Sequence, residues 1–361
     1  MERSKIRQVG AERRPGRGAT SNFAGRFEAY VTEDCDDGWE KQEEKPLRTH
    51  VSIESPRSII TRNTSPDLPF DRSINPYRGC EHGCIYCFAR PTHAYLGYSP
   101  GLDFETRLIS RPNAPERLAS ELARKAYSPA PIAIGTNTDP YQPIERQYRV
   151  MRGILTVLLA HRHPVTIVTK GTLIERDLDL LSEMAARNLV HVGVSLTTLD
   201  AKISRRMEPR VPAPARRLKS IEALARAGIP TRVMVAPIVP ALTDHELESI
   251  LSESQSAGAK AANYILLRLP GEVGPLFQDW LEEAFPDRAN RVMSRMREMR
   301  GGENYRADFG RRMIGQGEFS RLLAHRFKVA IRRLGLLQDL PPLECTQFRV
   351  PPKAGDQLSL F

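Results

Sequence analysis

The residues best equipped for chemistry are Cys80, Cys84 and Cys87, three of the chain's five cysteines, spaced C-x3-C-x2-C within eight positions. An odd trio this close cannot pair off into disulfides, and the first residues carry no signal for export to an oxidising compartment. Metal ligation is the chemistry that this spacing favours. The glycines and polar residues around Cys80 let the backbone curl so that the thiolates face one point, as an iron–sulfur cluster requires. A cubane has four irons, so three ligands leave one iron open to a substrate or cofactor. The rival is a structural zinc site with His82 or His93 as fourth ligand. Such sites usually draw two short ligand pairs from separate turns, and the sequence holds no second pair.

Tyr86 stands before the last cysteine, and C-x3-C-x-aromatic-C resembles the signature of the radical S-adenosylmethionine (SAM) superfamily. That resemblance implies a [4Fe-4S] cluster whose open iron chelates the methionine amino and carboxylate groups of SAM. It also implies an electron donor, and a 5′-deoxyadenosyl radical that takes hydrogen from a substrate. The stretches SINPYRGCEHGCIYCFARPTHAYLG, IVTKGTLIERDLDLL and RRMEPRVPAPARRL more closely resemble the branch that includes spore photoproduct lyase and its DNA-repair-photolyase-like bacterial relatives. The likeness runs over residues 55 to 300 and points to DNA or a nucleic-acid lesion as substrate. Two other readings stay open: radical modification of protein or RNA, and a non-catalytic, metal-stabilised adaptor for nucleic acid or a clamp.

The elements that must position these groups are legible as alternating β-branched and amphipathic runs, the pattern of a parallel sheet covered by helices. Strands are expected over 131–135, 164–170, 190–196, 231–236 and 261–267, and helices over 114–126, 145–162, 175–187, 215–227 and 243–257. In the helix over 145–162, Val150, Ile154, Val157 and Leu158 fall on one face. Gly228 before Ile229-Pro230 reads as a helix stop, and Thr243 with Glu246 as a capping box. With a strand before the cysteine loop this gives six β/α units from 74 to 269. The count resembles the partial (β/α)6 barrel of radical SAM enzymes, an α/β fold with its reactive groups beyond the carboxyl ends of the strands.

Three expected strand exits are polar: Gly135–Asp139, Thr169–Gly171 and Ser195–Thr198. A zwitterionic cofactor needs acceptors for its ammonium, a cation or donors for its carboxylate and polar groups for its ribose. With SAM implied, Asn137 or Asp139 is assigned to the ammonium or ribose, Lys170 to the carboxylate and Ser195 to the carboxylate or ribose, with Tyr86 beside them. Turn formation or helix capping is the plain alternative for each. The superfamily usually carries Gly-Gly-Glu after strand two, where this chain has Gly135-Thr136-Asn137-Thr138-Asp139. Arg210 could hold the cofactor carboxylate or a phosphate, or simply pair with Glu208. His82, Arg90 and His93 read as hydrogen-bonding neighbours of cluster sulfur. The lyase branch returns hydrogen from a cysteine near the end of strand two. The stretch Ile134–Asn137 has none, which argues against photoproduct reversal itself and leaves Tyr98 or Tyr141 as candidate hydrogen donors.

At 361 residues, 40% hydrophobic and 27% charged, the chain can build one large or two ordinary domains. No run of about 18 apolar residues occurs and the opening residues are charged, so a cytoplasmic protein is expected. The boundaries read as an N-terminal extension over 1–54, largely disordered, a core over 55–285, a basic helical region over 286–340 and a flexible tail over 341–361. The net charge of +10 points toward polyanions. Between Pro286 and Arg333, thirteen Lys/Arg stand against five Asp/Glu, so most of that excess lies in one region. In a helix over 319–334, Phe319, Leu322, Leu323, Phe327, Ala330, Ile331 and Leu334 face one way and Arg321, Lys328 and Arg332 another, a basic side for phosphates or a solvated face. Gln357, Leu358, Ser359, Leu360 and Phe361 resemble the pentapeptide with which bacterial repair proteins dock on the sliding clamp, Leu360 and Phe361 serving as apolar anchors and Gln357 as hydrogen-bonding group. Cys35, in an acidic run, and Cys345 are read as incidental and unassigned, respectively.

Overall fold

The computed structural model describes residues 9–23, 26–27 and 45–352. Cys35 and the tail residues Gln357, Leu358, Leu360 and Phe361 lie outside them. Among the described residues ten strands form two sheets: β1 (His50–Ile53), β2 (Ile60–Arg62), β3 (Arg72–Ile74), β4 (Tyr77–Arg78), β5 (Arg107–Ser110), β6 (Ile132–Ile134), β7 (Val165–Thr169), β8 (Val190–Ser195), β9 (Thr231–Ile238) and β10 (Ala261–Leu266). The large sheet runs β10-β9-β8-β7-β6-β3-β2. From β3 through β10 every pairing in it is parallel and chain order equals spatial order, while β2 adds antiparallel to the free edge of β3. Helical segments follow the parallel strands, which is the partial (β/α)6 barrel.

Parallel strands buried on both faces need near-continuous apolar runs, and β6 and β8 supply them with Ile132, Ile134, Val190, Val192 and Val194. Helix Val150–Ala160 buries Val150, Met151, Ile154, Leu155 and Leu158 in the core, with Val157 partly buried against it. The stop at Gly228 takes the left-handed φ of 72° that only glycine adopts cheaply, and β9 begins three residues later.

Two local expectations are corrected. The helix expected over 145–162 is broken at Arg149, whose φ of 51° separates Glu145–Tyr148 from Val150–Ala160. The break lets the Glu145 carboxylate turn back and accept from the Met151 amide at 3.3 Å while Arg176 holds it at 2.5 Å. The capping box does not form. The Thr243 hydroxyl accepts from Val239 N and the Glu246 carboxylate from Leu199 N, so both are committed to neighbouring loops.

The small sheet, β1-β5-β4, flanks the cysteine loop that follows β4. The described part of the N-terminal extension is docked: the Glu105 carboxylate accepts from Gly18 N at 2.9 Å and Ala19 N at 2.8 Å, and Arg17 donates to the Glu105 carbonyl. Residues 341–352, expected as the start of a flexible tail, also lie on the barrel, with Glu344 N donating to Asn188 O and Arg349 N to His161 O. In helix Gly317–Leu334, Leu323, Phe327, Ala330 and Ile331 are buried. Leu322 is corrected from the packed face to solvent, being 50% exposed beside Arg321. No helix among the described residues is long and apolar enough to cross a membrane.

Candidate functional site

The cysteine loop is built to be held from behind. Gly79 and Gly83 take φ values of 71° and 68°, which curl the backbone around Cys80. A side chain on Gly79 would meet Phe104 O at 2.9 Å, and one on Gly83 would meet the Glu105 carboxylate at 2.6 Å. Arg90, fully buried, donates to Cys84 O at 2.9 Å, Gly83 O at 3.2 Å and Gly101 O at 2.9 Å and pairs with Glu105 at 2.6 Å. Gln142 brackets Cys80 from the β6 side, accepting from Glu81 N at 2.8 Å and donating to Gly79 O at 3.2 Å. The loop carbonyls are therefore satisfied internally and the thiols are free, with no disulfide.

Burial pushes the Cys84 thiol up to about 12 and the Cys80 thiol well above its usual value, and it raises Cys87 as well. Three desolvated thiols beside a cavity lose their protons when iron supplies the compensating charge, which is what a thiolate-ligated cluster does. Three thiols lining one cavity are a donor set that fits an iron–sulfur cluster.

The thiols open into a cleft at the carboxyl ends of the parallel strands. Residues 135–139 after β6, Thr169 and Lys170 at the end of β7, Ser195 of β8, Met234 and Ala236 of β9, and Ile265, Leu266 and Arg268 at β10 line it together with Tyr86 and Phe88. Asn137, Asp139, Lys170, Ser195 and Tyr86 are thus brought to one cavity with all three cysteines.

Their states differ. Lys170 has no carboxylate within salt-bridge distance among the described residues, and its ammonium lies 5.7 Å from the centre of the Tyr86 ring. Burial works against its charge, but Cys84, Glu208 and Asp139 outweigh that and raise its pKa. It is a lone cation suited to a carboxylate. The Ser195 hydroxyl makes no hydrogen bond among the described residues, while its carbonyl accepts from Arg217 at 3.0 Å. Asn137 is partly exposed at the cavity wall.

Asp139 is occupied: it accepts from the Thr169 hydroxyl at 2.6 Å, Lys170 N at 2.7 Å and Tyr141 N at 2.9 Å, with the His82 ring at 3.3 Å. It ties the β6 exit to the β7 exit. Burial pushes its carboxyl up, but His82, the Thr169 hydroxyl and the Lys170 amide outweigh that and hold it at about 2. A depressed carboxyl stabilises the fold above its unfolded pKa, and the contribution disappears as pH falls through the folded one. Asp139 is expected to supply about 2 kcal/mol that is lost between about pH 4 and pH 2. Denaturant midpoints of the wild type and Asp139→Asn across that range check this; parallel acid limbs would contradict it.

Other assignments are corrected. Arg210 lies outside the cavity lining and pairs with Glu81 at 3.1 Å rather than with Glu208. Tyr141 is buried with its hydroxyl donating to Asp177 at 3.2 Å, and Tyr98 stacks near His93 and Arg107; neither lines the cavity. His93 is buried edge-on to Phe104, away from the cavity lining.

Glu208, which local reasoning paired with Arg210, braces the cavity-lining Tyr86 from behind. Its carboxylate is fully buried, pairs with Arg217 at 2.7 Å, accepts from the Thr197 hydroxyl at 2.8 Å and receives a short hydrogen bond from the Tyr86 hydroxyl. Burial opposes its charge, yet Arg217 and Lys170 hold its pKa below the usual carboxylate range. The network fixes Tyr86 and the Ser195 backbone from behind. Arg217 sits nine residues on, past a Pro-rich turn, and the one signal of the pair was an arginine on the apolar side of the 214–226 helix.

Residues 74–253 match the profile of the Radical SAM superfamily. An uncharacterized protein of Mycobacterium tuberculosis is 43% identical over 234 residues, covering 64% of this chain and 68% of its own length. An uncharacterized protein of Methanocaldococcus jannaschii is 26% identical over 215 residues, covering 59% of this chain and 76% of its own. Among solved structures, spore photoproduct lyase complexed with dinucleoside spore photoproduct superposes with a TM-score of 0.57 at 15% identity, over 80% of this chain and 81% of that one. The likeness at that identity is one of fold.

Proposed function

The chain belongs to the radical SAM superfamily and is a radical SAM enzyme, and from that premise we propose that it acts on DNA or a nucleic-acid lesion, with Cys80, Cys84 and Cys87 holding a [4Fe-4S] cluster. The observation that carries this reading is one cavity joining the three free thiols to the polar exits of β6, β7 and β8. Bound there, the cluster and SAM would supply homolytic cleavage of a carbon–sulfur bond and hence a 5′-deoxyadenosyl radical for hydrogen abstraction.

The chain's own groups do the positioning. Lys170 meets the methionine carboxylate as the cavity's unpaired ammonium, the Ser195 hydroxyl offers a further hydrogen bond, and Asn137 offers an acceptor for the ammonium or ribose. Asp139 holds the first two exits in register, and Glu208 keeps the Tyr86 ring beside Lys170. Apolar walls from Met234, Ala236, Ile265 and Leu266 exclude water from the reacting atoms. Support for the nucleic-acid substrate comes from the basic 286–333 region and from the fold shared with a lyase solved in complex with a dinucleoside lesion. Docking of Gln357, Leu358, Leu360 and Phe361 on a bacterial sliding clamp belongs to the same proposal and rests on the sequence; deleting 357–361 and measuring binding to purified clamp tests it.

The reaction is tested by anaerobic reconstitution, reduction and assay for 5′-deoxyadenosine with and without damaged DNA. A yield that rises with damaged DNA supports the substrate class. Equal yields with and without it would move the substrate to protein or RNA.

A further inference from the structure

Phe88 follows the last cysteine directly, lines the cavity and is nevertheless 45% exposed. Over its ring, at 4.9 Å from the centroid, lies the guanidinium of Arg268, which leaves the end of β10 and lines the same cavity. Arg268 has no carboxylate partner among the described residues. Its side-chain hydrogen bonds among the described residues go to the Tyr305 hydroxyl at 3.4 Å and the Met313 sulfur at 3.6 Å, and its buried Nε has no acceptor among them. A fixed arginine whose partners are weak acceptors retains most of its capacity for an anion.

The segment bearing Tyr305 and Met313 belongs to the basic region, so the geometry brings that region to the mouth of the cavity. Leu266 N donates to Met313 O, and Arg300 donates to Leu267 O at 2.9 Å. A half-exposed aromatic ring beside an anion-seeking guanidinium matches a ligand that presents a flat ring next to a phosphate. Paired bases inside a duplex keep their faces covered by their neighbours, whereas an unpaired base offers one.

We propose that Phe88 and Arg268 form a subsite for one unpaired nucleobase and its adjoining phosphate, selecting single-stranded or extruded DNA over intact duplex. This rests on the nucleic-acid reading above and names the form of substrate that reading leaves open. Phe88 supplies the stacking face and Arg268 the phosphate contact, and both are specificity-determining residues.

The test is equilibrium binding, by fluorescence anisotropy, of the reconstituted full chain to a labelled single-stranded oligonucleotide and to its duplex. Phe88→Leu is expected to weaken single-strand binding about tenfold, and Phe88→Tyr, which keeps the ring, to bind like wild type. Arg268→Gln is expected to lower the slope of log affinity against log salt by about 0.7. Duplex binding should be equal in all four proteins, and iron content equal to wild type shows that each variant holds its cluster loop. If Phe88→Leu and Arg268→Gln bind the single strand as wild type does, the subsite is wrong while the nucleic-acid reading stands. If wild type binds neither oligonucleotide, the nucleic-acid reading falls and takes the subsite with it.

Discussion

Replacing Arg90 by glutamine is expected to destabilise the protein by about 3–5 kcal/mol, the cost of removing one member of a buried ion pair, and to strip the cysteine loop of its iron. Arg90 and Glu105 are both fully buried, and the guanidinium also binds the carbonyls of Gly83, Cys84, Pro100 and Gly101. Glutamine reaches at most two of those acceptors. The others would be left desolvated, and the loop between Cys80 and Cys87 would lose the group around which it is wrapped. Glu105 keeps Gly18 N and Ala19 N, so the N-terminal strap should loosen together with the loop. Denaturant unfolding of the cluster-free chain isolates the stability effect, and iron bound after anaerobic reconstitution measures the effect on the site. Wild-type iron content together with a wild-type midpoint would show that the loop is held by something else.

Glu208→Gln is expected to cost a similar amount, again about 3–5 kcal/mol, because Arg217 would stay buried without its counter-charge. The change keeps the shape and removes the charge, so a loss reports electrostatics rather than packing. Tyr86 and Thr197 would lose a charged acceptor, and Lys170 one of the charges that raise its pKa. SAM binding should therefore weaken along with the fold, read by equilibrium dialysis at a temperature where the variant is native. Replacing Glu208 by leucine and Arg217 by methionine together should recover much of the stability, since apolar side chains often substitute well for a buried pair, without recovering SAM binding. Full retention of SAM affinity in that double variant would separate Tyr86 and Lys170 from the network assigned to them.

The sheet was legible because its signals are local. Runs such as Val165–Thr169 and Val190–Ser195 are short and rich in β-branched residues, which favours strands, and the polar exits after them fall where parallel α/β folds keep their chemistry. The cysteine trio was legible for the same reason. Long-range pairing was not. The helix breaks at Arg149 and the Glu145 carboxylate goes to Arg176, thirty-one residues on, and nothing in the periodicity of 145–162 records that. Arg210 and Glu208 are two residues apart and were natural partners in the sequence, yet the fold sends one to Glu81 and the other to Arg217. Asp139 looked like a ligand for a cofactor because it sits at a strand end, and the Thr169 hydroxyl and Lys170 amide that occupy it come from the next strand. Arg268 carries no motif, and its place became visible only once β10 and the segment around Tyr305 were seen to meet.

The most direct measurement is an iron and sulfide count on oxygen-free protein, with electron paramagnetic resonance of the reduced sample before and after adding SAM. About four irons and four sulfides per chain are expected, lost when Cys84 is replaced by alanine, with a spectrum that changes on adding SAM. Protein that holds zinc in place of iron, or a cluster whose spectrum is the same with and without SAM, would contradict the assignment of Cys80, Cys84 and Cys87.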